Sequence, residues 1–493
     1  MENTKMCDGA ASSPKTAAAF RELLAKSDKP GKSGQMSARE RLTALFDADT
    51  FTEIGAYTMR RMSEFDAAAA DEFESVLCGY GSVDGCLVYA FAQDMGRTKG
   101  SVSEASAKKI TALYKMAVEN GCPIVGIFDS AGAYLPEGVR ALAGYGAVMK
   151  AVSMASGVIP QIAVVAGVAE GASAVLASMF DFVIATEQSK ISVNPAFVVG
   201  GGTVKESVEA GLASLKAATD AEAIAAARTL LSYLPSNNEE GTVEVPTSDE
   251  INRLADLGAY EADGSIVSLI KAAADDGKYL EMNQDYAKNV TTGFISLNGV
   301  VCGVIATNHA ENGGKLTSKA ARKAARFLNF CDSFFIPVLT LVDTEGFAVC
   351  GEQEKNPFSA EIGKLAAAYA SAKTPLVTLV TGAAYGSAFT VLGSKAIGAD
   401  LVLALDTAKI GCLSAPSAVA LLWNDQITGT VTRESLEEKW NDTKANVFEA
   451  AKAGEIDDII EANEVRQRLA SAVLMLAGKA AGTPKRRHAN MPL

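Results

Sequence analysis

Histidine is almost missing from this chain: His309 and His488 are the only two among 493 residues. Chemistry that needs several imidazoles, such as a histidine-rich metal centre, therefore has little to stand on. A serine-histidine hydrolase is disfavoured too, because no G-x-S-x-G turn occurs. Neither histidine has a nucleophile motif beside it, so His309 reads as an ordinary surface or core residue. Cysteine occurs eight times, at 7, 78, 86, 122, 302, 331, 350 and 412, but never as C-x-x-C. Without that spacing no zinc site is expected, and the scattered thiols read as reduced residues of a cytoplasmic protein. There is no Walker A loop and no paired dinucleotide fingerprint. An uninterrupted apolar run of about 18 residues, which a membrane helix needs, is also lacking. The closest stretch, Ala163 to Phe182, is broken by Glu170. The first thirty residues are polar and lack a secretory apolar core. Positive charge is short as well. The net charge is −13, and only Lys485-Arg-Arg487 is locally basic, so a nucleic-acid partner is not expected.

What is present is a long repeat. Gly79-Tyr-Gly-Ser-Val-Asp-Gly85 returns as Gly293-Phe-Ile-Ser-Leu-Asn-Gly299, and Pro123-Ile-Val-Gly-Ile-Phe-Asp129 returns as Pro337-Val-Leu-Thr-Leu-Val-Asp343. Both pairs lie 214 residues apart, and Ser103/Thr317, Lys109/Lys323 and Gly132/Gly346 keep the same step. Further on the step becomes 215 at Gly171/Gly386 and 219 at Asp181/Asp400, as small loop insertions would produce. A period this long is a duplicated domain; solenoid repeats run about 20–50 residues. The boundary falls in Leu234 to Asp249, rich in Pro, Asn, Glu and Ser, which divides the chain into 1–240 and 241–493.

Each half opens with a hairpin, turning at Asp84-Gly85 in the first and Asn298-Gly299 in the second. In the first half a helix from about Ser103 to Asn120 follows, with Ile110, Leu113, Met116 and Ala117 on one face. A buried strand Ile124 to Phe128, a helix from about Leu142 to Ser156, a strand Gln161 to Ala166, a helix from about Gly171 to Met179 and a strand Phe182 to Ala185 complete the unit. The expected class is α/β, a spiral of small sheets with helices outside.

Two matched pairs of Gly/Ala-rich turns end strands. Asp129-Ser-Ala-Gly-Ala133 pairs with Asp343-Thr-Glu-Gly-Phe347, and Gly167-Val-Ala-Glu-Gly-Ala-Ser173 pairs with Gly382-Ala-Ala-Tyr-Gly-Ser-Ala388. The second kind leads into a helix, where backbone N–H groups lack intrahelical partners and small residues admit a ligand oxygen. Such a turn can serve as an oxyanion hole or simply as a tight turn.

At these residues the sequence resembles the carboxyltransferase subunits of biotin-dependent acyl-CoA carboxylases and decarboxylases. The likeness runs from Ala38-Arg-Glu-Arg-Leu42 through Val76 to Gly85, Ala155-Ser-Gly-Val-Ile-Pro160, Ala320 to Asp332 and Gly386 to Asp400, to the tail His488-Ala-Asn-Met-Pro-Leu493. It implies two tandem crotonase-like domains, the first taking acyl-CoA and the second biotin, with a site completed across a homodimer or larger ring. It also implies transfer of a carboxyl group between biotin and a small acyl-CoA of the propionyl/methylmalonyl kind, with no side-chain base. The oxyanions of thioester and biotin would be held by backbone donors at Gly171 and Ala172 and at Ser387 and Ala388. By the same resemblance Gly132, Ala133 and Thr390 would contact substrate, with Thr390 at the position that tunes chain length, and Gly346, Phe347 and Gly386 would contact biotin. No metal is implied. No Met-Lys-Met biotin-attachment motif occurs. Biotin would therefore arrive on a carrier protein, with a biotin carboxylase or membrane decarboxylase subunits as further partners. The alternatives are a decarboxylase α subunit of a sodium-pumping complex acting on methylmalonyl- or glutaconyl-CoA, and a non-catalytic scaffold paralogue. Two departures bear on these: Tyr134 stands where the family carries arginine, and Glu170 where it carries a small residue.

Overall fold

The computed structural model describes residues 16–27, 35–61, 73–195, 198, 200–355 and 357–480. The tail motif 488–493, the basic run 485–487 and most of the polar N-terminus lie outside them. The first half carries β1 (Thr52–Ile54), β2 (Val76–Val83), β3 (Cys86–Gln93), β4 (Ile124–Ser130), β5 (Gln161–Glu170), β6 (Phe182–Thr186), β7 (Lys190–Ser192) and β8 (Leu215–Ala217). The second carries β9 (Leu280–Met282), β10 (Val290–Leu297), β11 (Val300–Thr307), β12 (Val338–Thr344), β13 (Leu376–Tyr385), β14 (Leu401–Leu405), β15 (Lys409–Gly411) and β16 (Asp458–Ile460). The orders are β1-β2-β3-β4-β5-β6-β8 and β9-β10-β11-β12-β13-β14-β16, the same path twice. The first three strands of each path are antiparallel and the rest parallel.

The expected spiral arises by splitting one long strand. The first part of β5 pairs with β6 from Ile162 to Val165, and its last three residues leave β6 and pair with β7. Strand β13 divides between β14 and β15 in the same way. The sheet therefore turns a corner where β5 and β13 end, and the matched Gly/Ala-rich turns sit on that corner.

The hairpins show why the repeat is so regular at its opening. Asp84 and Gly85, like Asn298 and Gly299, have positive φ, as a two-residue turn matching strand twist requires. A carboxylate from outside each hairpin closes it. Asp47 accepts the N–H groups of Asp84 and Gly85 at 3.1 and 3.0 Å, and Asp275 accepts those of Asn298 and Gly299 at 3.0 and 2.7 Å. An arginine from the last helix of each half then binds that carboxylate: Arg228 on Asp47 and Arg466 on Asp275.

Helix Glu104–Asn120 starts where the Ser103 hydroxyl accepts the Ser106 N–H, and ends where Gly121 turns left-handed. Its Ile110, Leu113 and Ala117 are buried as the periodicity predicts, Met116 is half-buried, and Tyr114 completes the face. It packs on helix Val139–Ala155, and helices Ser318–Ser333 and Phe358–Ser371 form the matching pair. The two halves share one core. Phe182 packs edge-on to Phe330 with centroids 4.6 Å apart, in a cluster that also takes in Leu42, Val125, Phe294 and Phe327. No helix of the described residues is long and apolar enough to cross a membrane.

Candidate active site

Each half builds its site from an aspartate at a break in the sheet. The β4–β5 register shifts between Phe128 and Ser130, and the β12–β13 register shifts between Val342 and Thr344. The shift frees Asp129 and Asp343 to reach across to the neighbouring strand. Asp129 Oδ1 accepts the Val168 N–H at 3.2 Å, and Asp343 Oδ1 accepts the Ala383 N–H at 2.8 Å. This explains two of the repeated glycines. A Cβ on Gly167 would stand 2.1 Å from Asp129 Oδ1, and one on Gly382 would stand 2.4 Å from Asp343 Cγ. Only a residue without a side chain leaves room for the carboxylate.

The partners of the two aspartates differ. Buried Arg41 bridges Asp129 Oδ2 at 3.0 Å and Asp220 Oδ2 at 2.8 Å. In the second half the partner is His309, its Nδ1 lying 3.0 Å from Asp343 Oδ1 on a half-exposed loop. Neither contact was legible from local motifs. Arg41 lies inside the quoted Ala38-to-Leu42 segment, but its partners are 88 and 179 residues away.

Hydrogen bonding sorts the expected backbone donors. The Gly171 N–H donates to the Ser192 carbonyl at 3.0 Å, so it is engaged within the fold. Gly132 donates its N–H to Ser130 Oγ at 3.0 Å. Ala133 follows it in a one-residue bridge to Val102, and the bonds of that bridge are Val102 N to the Gly132 carbonyl and Tyr134 N to the Val102 carbonyl. The Ala133 N–H takes no part in them. Ala172 is the first residue of helix Ala172–Ser178, where an N–H has no intrahelical acceptor. Gly171 before it has φ 60° and ψ −125°, a backbone shape that favours glycine. The turn and the helix entry adjoin, since a Cβ on Gly132 would lie 3.2 Å from the Glu170 carbonyl.

The second half repeats the pattern. Gly346 donates to Thr344 Oγ1 at 3.2 Å, and the Leu316–Phe347 bridge uses Leu316 N and Ala348 N, leaving Phe347 N aside. Gly386, at φ 64°, opens helix Gly386–Val391, with Ser387 exposed and Ala388 buried behind it. Phe347 and Tyr385 line a cleft of about 590 Å³ with Lys315, Glu345, Val349, Lys409, Ser414 and Asn441. Thr390 is exposed on its helix. It is not part of that cleft lining.

The two departures have structural settings. Tyr134 is buried, and Arg60, from the loop after β1, donates Nη1 to its hydroxyl at 2.5 Å and stacks over its ring with the guanidinium 5.4 Å from the centroid. A guanidinium thus stands beside this turn although the turn itself has none. Glu170 is partly buried at the end of β5, paired in register with Ser192. Among the described residues no group of three or more His, Cys, Asp or Glu could hold a metal ion.

Comparison with known proteins agrees with this architecture. The carboxyl transferase domain model matches residues 30–491. Methylmalonyl-CoA decarboxylase subunit alpha of Propionigenium modestum is 36% identical, over 94% of this chain and 95% of that protein. The propionyl-CoA carboxylase carboxyltransferase subunit of Haloferax mediterranei is 34% identical, over 93% and 94%. Among solved structures, transcarboxylase 12S, described as a hexamer with hydrolysed methylmalonyl-CoA bound, superposes with a TM-score of 0.91 at 30% identity, covering 97% of this chain and all of that one. A doubled crotonase-like sheet and near-full-length similarity together show that the chain belongs to the carboxyl transferase family.

Proposed function

We propose that this protein is the carboxyltransferase subunit of a biotin-dependent acyl-CoA carboxylase, moving a carboxyl group between biotin and a small acyl-CoA of the propionyl/methylmalonyl type. The observation that carries this reading is the pairing of donors: Ala133 and Ala172 in the first half, Phe347 and Ser387 in the second. In this reading residues 1–240 hold the acyl-CoA and 241–493 hold biotin. The Ala133 and Ala172 N–H groups bind the thioester oxygen as negative charge develops on it, a contribution of several kcal/mol when donors are preorganised. The Phe347 and Ser387 N–H groups would hold the ureido oxygen of the biotin ring. The residues present fit such a ring: the cleft beside Phe347 combines the apolar surfaces of Phe347, Tyr385 and Val349 with polar groups, among them Lys315, Lys409, Asn441 and the carboxylates Glu345 and Glu437. Biotin, when bound, supplies or accepts the carboxyl group. No histidine or carboxylate is asked to move the α-proton, in keeping with the scarcity of histidine.

The chain would work in the cytoplasm as a homo-oligomer, at least a dimer, with a biotin carrier and a biotin carboxylase as partners. A second reading, the α subunit of a membrane-bound decarboxylase, draws on the 36% identity to the Propionigenium modestum subunit. In that case the membrane spans belong to partner subunits.

The test is a transfer assay with purified protein, free biotin and malonyl-, methylmalonyl- or glutaconyl-CoA, following loss of the carboxylated ester. Turnover of methylmalonyl-CoA ahead of the others is expected. A folded protein that turns over none of them would instead support a non-catalytic scaffold. The partners recovered from the native host, a biotin carboxylase or integral membrane subunits, separate the first two readings.

A further inference from the structure

The two halves meet around a cavity of about 460 Å³ that the proposed reaction does not use. None of the strand-end turn residues lines it. The first half bounds it with the C-terminal ends of helices Val139–Ala155 and Ala172–Ser178 and the start of β6. The second half bounds it with helix Ser318–Ser333 and the loop after β9. Part of the lining is aromatic: Phe180, Phe182, Phe327, Phe330 and Phe334 contribute to it and are themselves buried. A surface of this kind gains by covering hydrocarbon.

The same lining carries Arg322, Lys323 and Arg326, and Asp181 is the one carboxylate among its described residues. Two of the cations are committed. Arg322 binds Glu361 at 3.1 Å, and buried Lys323 donates to the carbonyls of Asn283, Tyr286 and Val290 at 2.9, 2.9 and 2.7 Å. Arg326 differs. Its Nη2 donates to the Phe180 and Asp181 carbonyls at 3.1 and 3.3 Å, but its Nη1 and Nε have no hydrogen-bond partner among the described residues, and no carboxylate there pairs with it. Burial pushes the Asp181 carboxyl up to about 7, which removes part of the negative charge that would repel an anion. A guanidinium with donors to spare presents a planar fork suited to a carboxylate.

The duplication shows that the fold does not require these residues. At the 214-residue step Arg326 corresponds to Ala112, Phe330 to Met116 and Phe334 to Asn120. Lys109 and Lys323 keep the same task, donating to Val76 and Val290 at the starts of β2 and β10. The cation and the aromatic wall belong to the second-half helix alone.

We propose that this junction cavity binds a small carboxylic acid with an aryl or short alkyl body, its carboxylate on Arg326 and its hydrocarbon on the phenylalanines. Its volume is within the range of small-molecule sites, which occur preferentially between domains. The ligand touches both halves, so its binding stabilises the folded chain as occupancy rises.

The test is isothermal titration of the full-length protein with 3-phenylpropionate, hexanoate and 3-phenylpropan-1-ol. One molecule of either acid per chain is expected, with the alcohol binding about tenfold more weakly because it lacks the charge-assisted bonds. Arg326→Gln should reduce the affinity for 3-phenylpropionate to that for the alcohol. Ser178→Trp places a ring in the cavity from an exposed helix end. It should abolish binding while melting close to wild type, and acid should raise the melting temperature of wild type alone. If Arg326→Gln fails to fold, Ser178→Trp decides by itself. Absence of binding by both acids would overturn the proposal. So would binding that survives Ser178→Trp, because the acid would then sit elsewhere. Equal affinity for 3-phenylpropionate and the alcohol would rule out recognition of a carboxylate by Arg326.

Discussion

At the scale of single residues, the site depends on which backbone groups the fold leaves available. Gly171 and Ala172 are neighbours of similar size, yet Ser192 accepts one N–H and the other has no intrahelical partner. Replacing Ala172 with proline removes that donor while leaving the helix a residue it tolerates at its first position. We expect Ala172→Pro to lower kcat by about 10²–10³. Ala172→Gly, which keeps the N–H, should stay within a few-fold, and both should melt close to wild type. Equal activity of the two variants would remove Ala172 from the site. Tyr134 makes a related point. Read along the chain it is the loss of a cation, but in space Arg60 covers its ring and binds its hydroxyl.

At the scale of elements, the duplication is a repeated way of closing a hairpin: an aspartate caps the turn and an arginine from the half's last helix binds the aspartate. The two copies differ in burial. The Arg466 and Asp275 side chains are 0% and 2% exposed, whereas Arg228 and Asp47 are 25% and 28% exposed. Breaking a buried pair strands a charge away from water, and exposed pairs contribute little. Arg466→Ala should therefore cost about 3–5 kcal/mol of stability. Arg228→Ala should cost about 1 kcal/mol or less. Denaturant titration of the two variants measures the difference. Equal losses would mean that burial is not what distinguishes the two copies. The split of β5 and β13 is likewise an element-scale feature, since it places the helix entry beside the aspartate-bearing turn in both halves.

At the scale of the whole molecule, the halves are tied together at a repeated strand start. Asp181 accepts the Gln161 N–H at 2.8 Å, as Asp400 accepts that of Leu376 at the same distance. Asp400 also has Lys479 at 2.6 Å from its own half. Asp181 depends on the other half, where Arg326 donates to the carbonyls of Phe180 and Asp181 at 3.1 and 3.3 Å. Although Asp181 keeps some surface access, protein surrounds it closely, and burial pushes its carboxyl up to about 7 against the pull of the Gln161 N–H and Arg326. A carboxyl raised from about 4 when unfolded gives the folded state extra protons between those values. The stability it supports is full below about pH 4, falls as pH rises toward 7, and is level above that. Asp181→Asn should thus melt like wild type near pH 4 and hold an advantage of a few degrees at pH 8. Melting curves across that range decide it: an advantage that does not change with pH would exclude the titration of Asp181 as its source.

The sequence by itself determined the duplication, the hairpin turns, the helices and strands between Val76 and Ala185 to within a few residues, and the two pairs of Gly/Ala-rich turns. These are local signals: glycine where the backbone must turn left-handed, continuous apolar runs where a strand is buried, and the same pattern 214 residues later. Tertiary structure alone decided which N–H groups in those turns remain available, because their acceptors lie on other segments, such as Ser192 for Gly171. It alone set Arg41 on Asp129 and His309 on Asp343, and it alone brought Arg60 to Tyr134 across 74 residues. Spacing along a chain carries the shape of a turn. What fills the space around that turn depends on chain segments that meet only once the sheets have closed.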